Sequence, residues 1–408
     1  MNDTKKRIVI VGGGFGGVST ALKLSKLKVN ASITLVTDKP HFEYYAGLYR
    51  VVTGKSPLEV CIPLRDIFDG TSVEVVIDKI SEVHLSTSAL KGASGSRYLY
   101  DYLVLALGSE TAYFNIPGLE KSAFGFKSIT EALRLKQHLH EAFESCEKQE
   151  SDKKVCAAHI VLVGGGASGT ELAAELAQYT KILAKKHKLD PSLITIDLIE
   201  EAPRILPILP ESVSKVVTQR LRRLGVNVMC NRTVIKEDVE TLYLKDMNVK
   251  TKTVIWTAGA MPNRLYRDVK GFQLDKKGRV VVDEYLQAVN VDNVFVIGDA
   301  ASVMYAGMAQ TAIRHGEYVG SMISVKLKNQ EGVEFIPRPT DFAIPVGTGW
   351  AATIWMGMHF YGILGWWLRR AADLRYFFSI LPLSKALRVF TKGKTLCETC
   401  AICAPDES

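Results

Sequence analysis

Short runs of β-branched and aliphatic residues set the rhythm of this chain. Ile8-Val9-Ile10-Val11 leads into Gly12-Gly13-Gly14-Phe15-Gly16-Gly17, a helical stretch from Val18 to Leu27, and a second apolar run from Ala31 to Val36 that ends at Thr37-Asp38. This order predicts strand, glycine turn, helix, strand and acidic residue. The same order returns. His159–Val163 predicts a strand, 164–169 reads Gly-Gly-Gly-Ala-Ser-Gly, Thr170 to Tyr179 is helical, and Ile194 to Ile199 runs up to Glu200-Glu201. Further strands are predicted at Tyr102 to Leu107, ending in Gly108-Ser109, at Val254 to Ala258, ending in Gly259, and at Val294 to Ile297, running into Gly298-Asp299. Ser128 and Glu131 have capping-box spacing for a helix from Ile129 to about Lys148. The charged stretch 146–154 that follows reads as a surface loop.

The pattern predicts an α/β protein with two Rossmann-like units. In the first, Gly12 allows the tight turn, Gly14 lets the backbone approach a pyrophosphate, and Gly17 lets helix and strand pack closely. Phe15 stands in the same turn, where the helix N-terminus offers unpaired N–H groups and partial positive charge to phosphate. Asp38 stands where a carboxylate would accept hydrogen bonds from a ribose, with Thr37 as the alternative in register. Gly164, Gly166 and Gly169 repeat the glycine roles. Glu200 at the strand end favours NADH, because a carboxylate accepts from a free 2′-hydroxyl and repels a 2′-phosphate; Arg204 nearby leaves NADPH open. One such glycine pattern is a weak signal. Two, each with an acid after the second strand, point to two dinucleotides.

At 408 residues, two or three domains are expected. Hydrophobic residues at 47% and charged ones at 23% exclude a disordered chain. The net charge of +8 does not choose between a nucleotide, a membrane surface and a nucleic acid. Nucleic acid ranks last, since no RNP-like motif, finger spacing or long basic run is present. Met1 to Arg7 leaves no room for a signal peptide, so the chain is expected to stay where it is made. Cys61, Cys146, Cys156 and Cys230 are scattered, as reduced thiols would be.

These residues resemble the two-dinucleotide-binding flavoprotein family. There, a strand followed by Gly-Asp places the Asp on the ribityl chain of FAD, which implies that role for Asp299. Leu105-Ala106-Leu107-Gly108 and Trp256-Thr257-Ala258-Gly259 are similar to the family's two interdomain crossings, with Leu107 where Thr is usual. The resemblance implies FAD at the first turn, with Ala106 and Gly108, and NADH at the second, with Gly259. It also implies an NADH-binding domain inserted into a discontinuous FAD-binding domain. The expected division is 1–115 and 263–340 for FAD, 116–262 for NADH, and 341–408 for a C-terminal region. The disulfide reductases of this superfamily carry a Cys-x4-Cys pair where this chain has His41 to Tyr49 without cysteine, which excludes a dithiol relay there.

That stretch is also similar to type II NADH:quinone oxidoreductases. So are Val52-Thr53-Gly54, Ile62-Pro63-Leu64-Arg65, Ile116-Pro117-Gly118, Lys127-Ser128, 169–173 and 203–207, in a likeness running from about residue 6 to 325. It implies hydride transfer from NADH to flavin and reduction of a quinone. Glu171 would assist that transfer; its other reading is a carboxylate stabilising a helix start. The family's Ala-Gln-x-Ala-x-Gln pattern maps onto Ala309-Gln310-Thr311-Ala312-Ile313-Arg314, with the first Gln kept and the second replaced. Gln310 would hold a quinone carbonyl. Arg314 and His315 would donate protons, or His315 is a surface helix residue.

From Phe342 to Leu368 there is no Asp, Glu, Lys or Arg, and four of the five tryptophans fall there. Glycines interrupt the stretch, and Phe342 to Val346 has the look of a last strand. A helix lying in the membrane interface is therefore preferred to one that crosses. From Arg369 to Lys394, seven basic residues and one acidic one interleave with aromatics, the pattern of an amphipathic membrane-associating segment. Its other readings are a dimer interface or a core helix. Together these place the chain at the cytoplasmic face of a membrane as a peripheral protein, and a homodimer stays open. Cys397, Cys400 and Cys403 offer three metal-type ligands, one fewer than the usual four, or form a flexible tail, and no metal is assigned. Two other activities are weighed: sulfide:quinone oxidoreduction, which needs cysteines beside the flavin, and slow redox sensing.

Overall fold

The computed structural model describes residues 5–148 and 159–392. Unbroken apolar runs suit strands covered on both faces, and Ile8, Ile10, Val104, Leu105, Val294 and Phe295 are fully buried. They form a five-stranded parallel sheet in the order Val294–Val296, Tyr102–Leu105, Lys6–Val11, Ala31–Thr37, Val73–Ile77. A second parallel sheet repeats that order with Phe124–Gly125, Thr253–Trp256, His159–Val163, Thr195–Ile199 and Val226–Met229. The strand at 294–296 closes the edge of the first sheet although the whole second sheet precedes it in the chain. Each unit adds an antiparallel three-stranded meander that the sequence pattern did not disclose, at Ile80–Leu99 and at Val234–Lys250.

The helix Phe15–Lys26 lies against the helix Ala309–Leu327. Their backbones meet at glycine: a Cβ on Gly316 would stand 2.4 Å from the Gly16 carbonyl oxygen. The Ile129–Lys148 helix begins on Ser128 as expected, with Glu131 reaching back one residue further than in a capping box. Glu131 N–H donates to Ser128 Oγ (3.1 Å), and Lys127 N–H to Glu131 Oε2 (2.6 Å). The loop after it, with Cys156, lies outside the described residues, as do Cys397, Cys400 and Cys403.

The C-terminal segment departs from its expected form. Phe342–Pro345, Ala351–Trp355 and Met358–Tyr361 make an antiparallel sheet, not a helix in the plane of a membrane. The turn Met356-Gly357 has φ of 50° and 78°, the two-residue geometry that joins twisted strands. A helix, Gly362–Ile380, follows, and then Leu383–Lys392. Arg369 and Arg370 were expected to face lipid. They are 6% and 5% exposed and turn inward onto the first unit. Phe377 and Ile380 are buried with them, so this side of the helix belongs to the core. Among the described residues no helix is long and apolar enough to cross a membrane.

Candidate active site

The two glycine turns have the same geometry. Gly12 and Gly164 have φ of 109° and 111°, a region open to glycine. A Cβ on Gly17 would stand 1.9 Å from Gly12 O, and one on Gly169 1.9 Å from Gly164 O, so both helices press directly on the turns that launch them. Gly14 and Gly166 differ: a Cβ there would meet no protein atom within 4 Å. Protein packing does not demand glycine at these two places. Their open side, beside the N–H groups of a helix start, fits a pyrophosphate.

Ala106 closes the first turn, with its carbonyl 2.4 Å from the position of a Gly12 Cβ; Ala258 closes the second against Gly164. Phe15 does not turn its ring to the open side. It is 8% exposed and packs against Phe42, Tyr44 and Tyr376, leaving its backbone at the helix start. Gly259 lies in the second crossing, packed beneath the Phe114 ring.

Strand register sets which positions of the two units correspond. Val11 pairs with Val36 and Val163 with Ile199, so Glu200 in the second unit corresponds to Thr37 in the first. Thr37 is buried against Gly13, while Asp38 stands one place further and is exposed. Glu200 accepts from Gly165 N–H (2.6 Å) and Ala202 N–H (2.7 Å), which fixes its carboxylate at the lip of the second turn. It lines a cavity of about 460 Å³ with Gly164, Gly166, Arg232, Trp256 and Thr257. Arg204 instead donates to the Leu206 and Pro207 carbonyls.

Asp299 follows the strand Val294–Val296 and lies beside the first crossing, accepting a short hydrogen bond from Ser109 Oγ. Behind it, His315 is fully buried, so the surface reading of this residue is wrong. Its Nδ1 accepts from Gly298 N–H (3.1 Å). Burial pushes its pKa down to about 4, so it stays neutral at ordinary pH and is not a ready proton donor. Arg314 is also engaged, donating to the Arg338 and Pro339 carbonyls at 3.0 Å each. Gln310 and Ala309 open the same helix. Gln310 is exposed and its amide reaches the Asp341 carbonyl at 3.3 Å.

Glu171 stands on the second fingerprint helix, Ala167–Lys186, where it meets the first unit. Burial pushes its carboxyl up to about 8, against the pull of Arg369 and Arg50 and with the help of Glu175. Those arginines belong to a buried cluster that sequence reading missed. Asp373, fully buried, accepts from Tyr44 Oη (2.5 Å), Arg369, Arg50 and Arg370. Glu59, 1% exposed, takes Arg50 and Arg370, the latter at 2.7 Å. Arg369 also donates to the Ala46 carbonyl at 2.7 Å. Three guanidinium groups thus share two carboxylates. No local pattern could have announced this, because Arg50 and Asp373 are 323 positions apart.

Two glycine turns on two parallel sheets, with a titratable carboxyl at their junction, define a two-nucleotide α/β oxidoreductase scaffold. Residues 6–316 match the family described as pyridine nucleotide-disulphide oxidoreductase, and the chain belongs to that family. It is 31% identical over 351 residues to the type II NADH:quinone oxidoreductase Ndh of Mycobacterium tuberculosis, covering 82% of this chain and 75% of that one. With the type II NADH:quinone oxidoreductase of Staphylococcus haemolyticus it shares 28% identity over 97% of this chain and 100% of the relative. In fold it is similar to NDH2 from Plasmodium falciparum solved with NADH, at TM-score 0.86, 18% identity, and coverage of 95% and 97%. The sulfide:quinone oxidoreductase of Aquifex aeolicus follows at TM-score 0.78 and 18% identity, covering 97% and 98%.

Proposed function

We propose that this chain is a type II NADH:quinone oxidoreductase, carrying out NADH + H⁺ + quinone → NAD⁺ + quinol. The observation that carries the reading is the pair of open glycine turns, the second with Glu200 at its lip, together with Asp299 beside Ser109 of the first crossing. FAD, when bound, supplies the redox chemistry. Gly12, Gly14, Ala106, Gly108 and Asp299 would hold it; Gly164, Gly166, Gly169 and Glu200 would hold NADH. Asp38 is out of register for the first ribose, and Thr37 takes that place.

Glu171 is suited to hold a proton at neutral pH and release it toward the reacting centre, since its pKa is raised to about 8. Arg369 and Arg50 supply positive charge beside it. Gln310, at the exposed start of its helix, is the donor for a quinone carbonyl. The proposed domain division keeps 1–115 and 263–340 with FAD and 116–262 with NADH.

The proposal extends to the membrane surface. Ile363, Leu364 and Trp367, 68%, 54% and 61% exposed, project from the outer side of the Gly362–Ile380 helix, and Leu383 and Leu387 from the next one. A one-sided apolar face of this kind suits the interfacial region of a bilayer, where a quinone resides. Deleting 341–408 is a poor test, because Phe377 and Ile380 would leave the core. Replacing Ile363, Leu364 and Trp367 with serine leaves the core intact, and should abolish co-sedimentation with lipid vesicles.

Stopped-flow absorbance tests the main reading. Fast bleaching of the flavin by NADH and its reoxidation by a soluble quinone is expected. Bleaching by sulfide alone would favour the sulfide reaction, and slow bleaching without an acceptor would favour a sensor; either would overturn the proposal.

A further inference from the structure

The segment that joins the two units carries a cation that reaches across the junction. Lys127 follows the edge strand Phe124–Gly125 of the second sheet and precedes the Ile129–Lys148 helix. Its backbone is pinned by Glu131, and its ammonium donates to Ser109 Oγ at 2.6 Å. Ser109 belongs to the first crossing, just after Gly108. Its single hydroxyl proton is directed to Asp299 Oδ2. The three groups form a directional chain, ammonium to hydroxyl to carboxylate.

Two consequences follow. The hydroxyl accepts from Lys127 and gives its proton to Asp299, so the carboxylate is held in one orientation with its second oxygen left to a ligand. The ammonium also balances the Asp299 charge, both groups being half-buried. Burial lowers the Lys127 pKa, while Asp299 and Glu131 act to hold its proton on.

We propose that Lys127 is a positioning residue that orients Asp299 through Ser109 and supplies the positive charge setting how readily the bound flavin accepts a hydride. This rests on the reading of Asp299 as a flavin-binding residue. Hydride arrival adds negative charge to the cofactor. A nearby cation stabilises the reduced form, and without it the Asp299 carboxylate stands uncompensated and disfavours that form.

The test uses the full chain, stripped of flavin and titrated with FAD by fluorescence, followed by the midpoint potential of the bound flavin against a reference dye without NADH. Lys127→Gln should bind FAD yet shift the reduced-to-oxidised ratio about tenfold toward oxidised, ~30 mV for a two-electron couple. Lys127→Arg keeps the charge and should restore most of that shift, which a purely structural role would not require. A Lys127→Gln potential within twofold of wild type, or an arginine variant as low as the glutamine one, overturns the inference. If Lys127→Gln takes up no flavin, the comparison passes to Lys127→Arg and Ser109→Ala, which breaks the chain but keeps the cation. A near wild-type potential in Lys127→Arg together with weakened FAD binding or a lowered potential in Ser109→Ala supports the inference; loss of flavin by Lys127→Arg, or a Ser109→Ala variant indistinguishable from wild type, overturns it. A wild-type chain that ignores FAD would instead fail the reading of Asp299 itself.

Discussion

Asp373→Ala is the substitution that most directly tests how the C-terminal helix is held. The carboxylate is fully buried and serves Arg369, Arg370, Arg50 and Tyr44 at once. Removing it leaves Arg50 and Arg370 sharing Glu59 and leaves Arg369 with only the Ala46 carbonyl. Breaking a buried ion pair from one side costs about 3–5 kcal/mol, because the remaining charge cannot recover its water. For a chain of this size that is a fall in melting temperature on the order of 4–6 °C. Thermal unfolding followed by circular dichroism, at fixed FAD concentration because bound ligand raises the midpoint, measures it. The loss should persist at high salt, since a buried cluster is poorly screened. Arg375→Ala, on the exposed side of the same helix, should change stability by less than about 0.5 kcal/mol. An Asp373→Ala midpoint within about 2 °C of wild type would refute the reasoning and reassign the docking to Phe377 and Ile380. The cluster also has a pH signature. Glu59 loses water on burial, but Arg50 and Arg370 more than offset this and hold its pKa below the usual value. Its contribution is present above the ordinary carboxylate range and is lost as pH falls through the lowered value.

Gly17→Ala should yield protein without flavin colour, because its Cβ would stand 1.9 Å from the Gly12 carbonyl and must displace the turn; FAD content of the purified variant checks this. Glu200→Ala should weaken NADH at least tenfold while leaving NADPH nearly unchanged, about 1.4 kcal/mol for a bond to a charged acceptor; equal losses for both, by fluorescence titration, would reject a ribose role. For Glu171→Gln the sign follows from a folded pKa of about 8 against an ordinary value of 4.5. The folded state holds a proton that the unfolded chain releases, so wild-type stability falls as pH rises between those values. The glutamine variant should therefore gain in melting temperature relative to wild type at pH 9 compared with pH 5. Its flavin reduction rate should also lose any inflection near pH 8, and a profile superimposable on wild type would exclude Glu171 from proton handling.

The sequence by itself determined the two-unit α/β plan, because glycine turns and apolar strands are local: a turn at φ near 110° needs glycine whatever surrounds it. The helix cap at Ser128 was legible for the same reason. Only the tertiary structure decided the rest. Register assigned Thr37, not Asp38, to the place of Glu200, a one-residue difference that composition cannot resolve. Basic residues at 369 and 370 look alike whether they meet lipid or carboxylate. Glu59 and Asp373, far away in the chain, turned them inward. His315 read as a proton donor or a surface helix residue until Gly298 and Phe335 enclosed it. Backbone conformation follows neighbours in sequence, whereas burial and charge pairing follow neighbours in space.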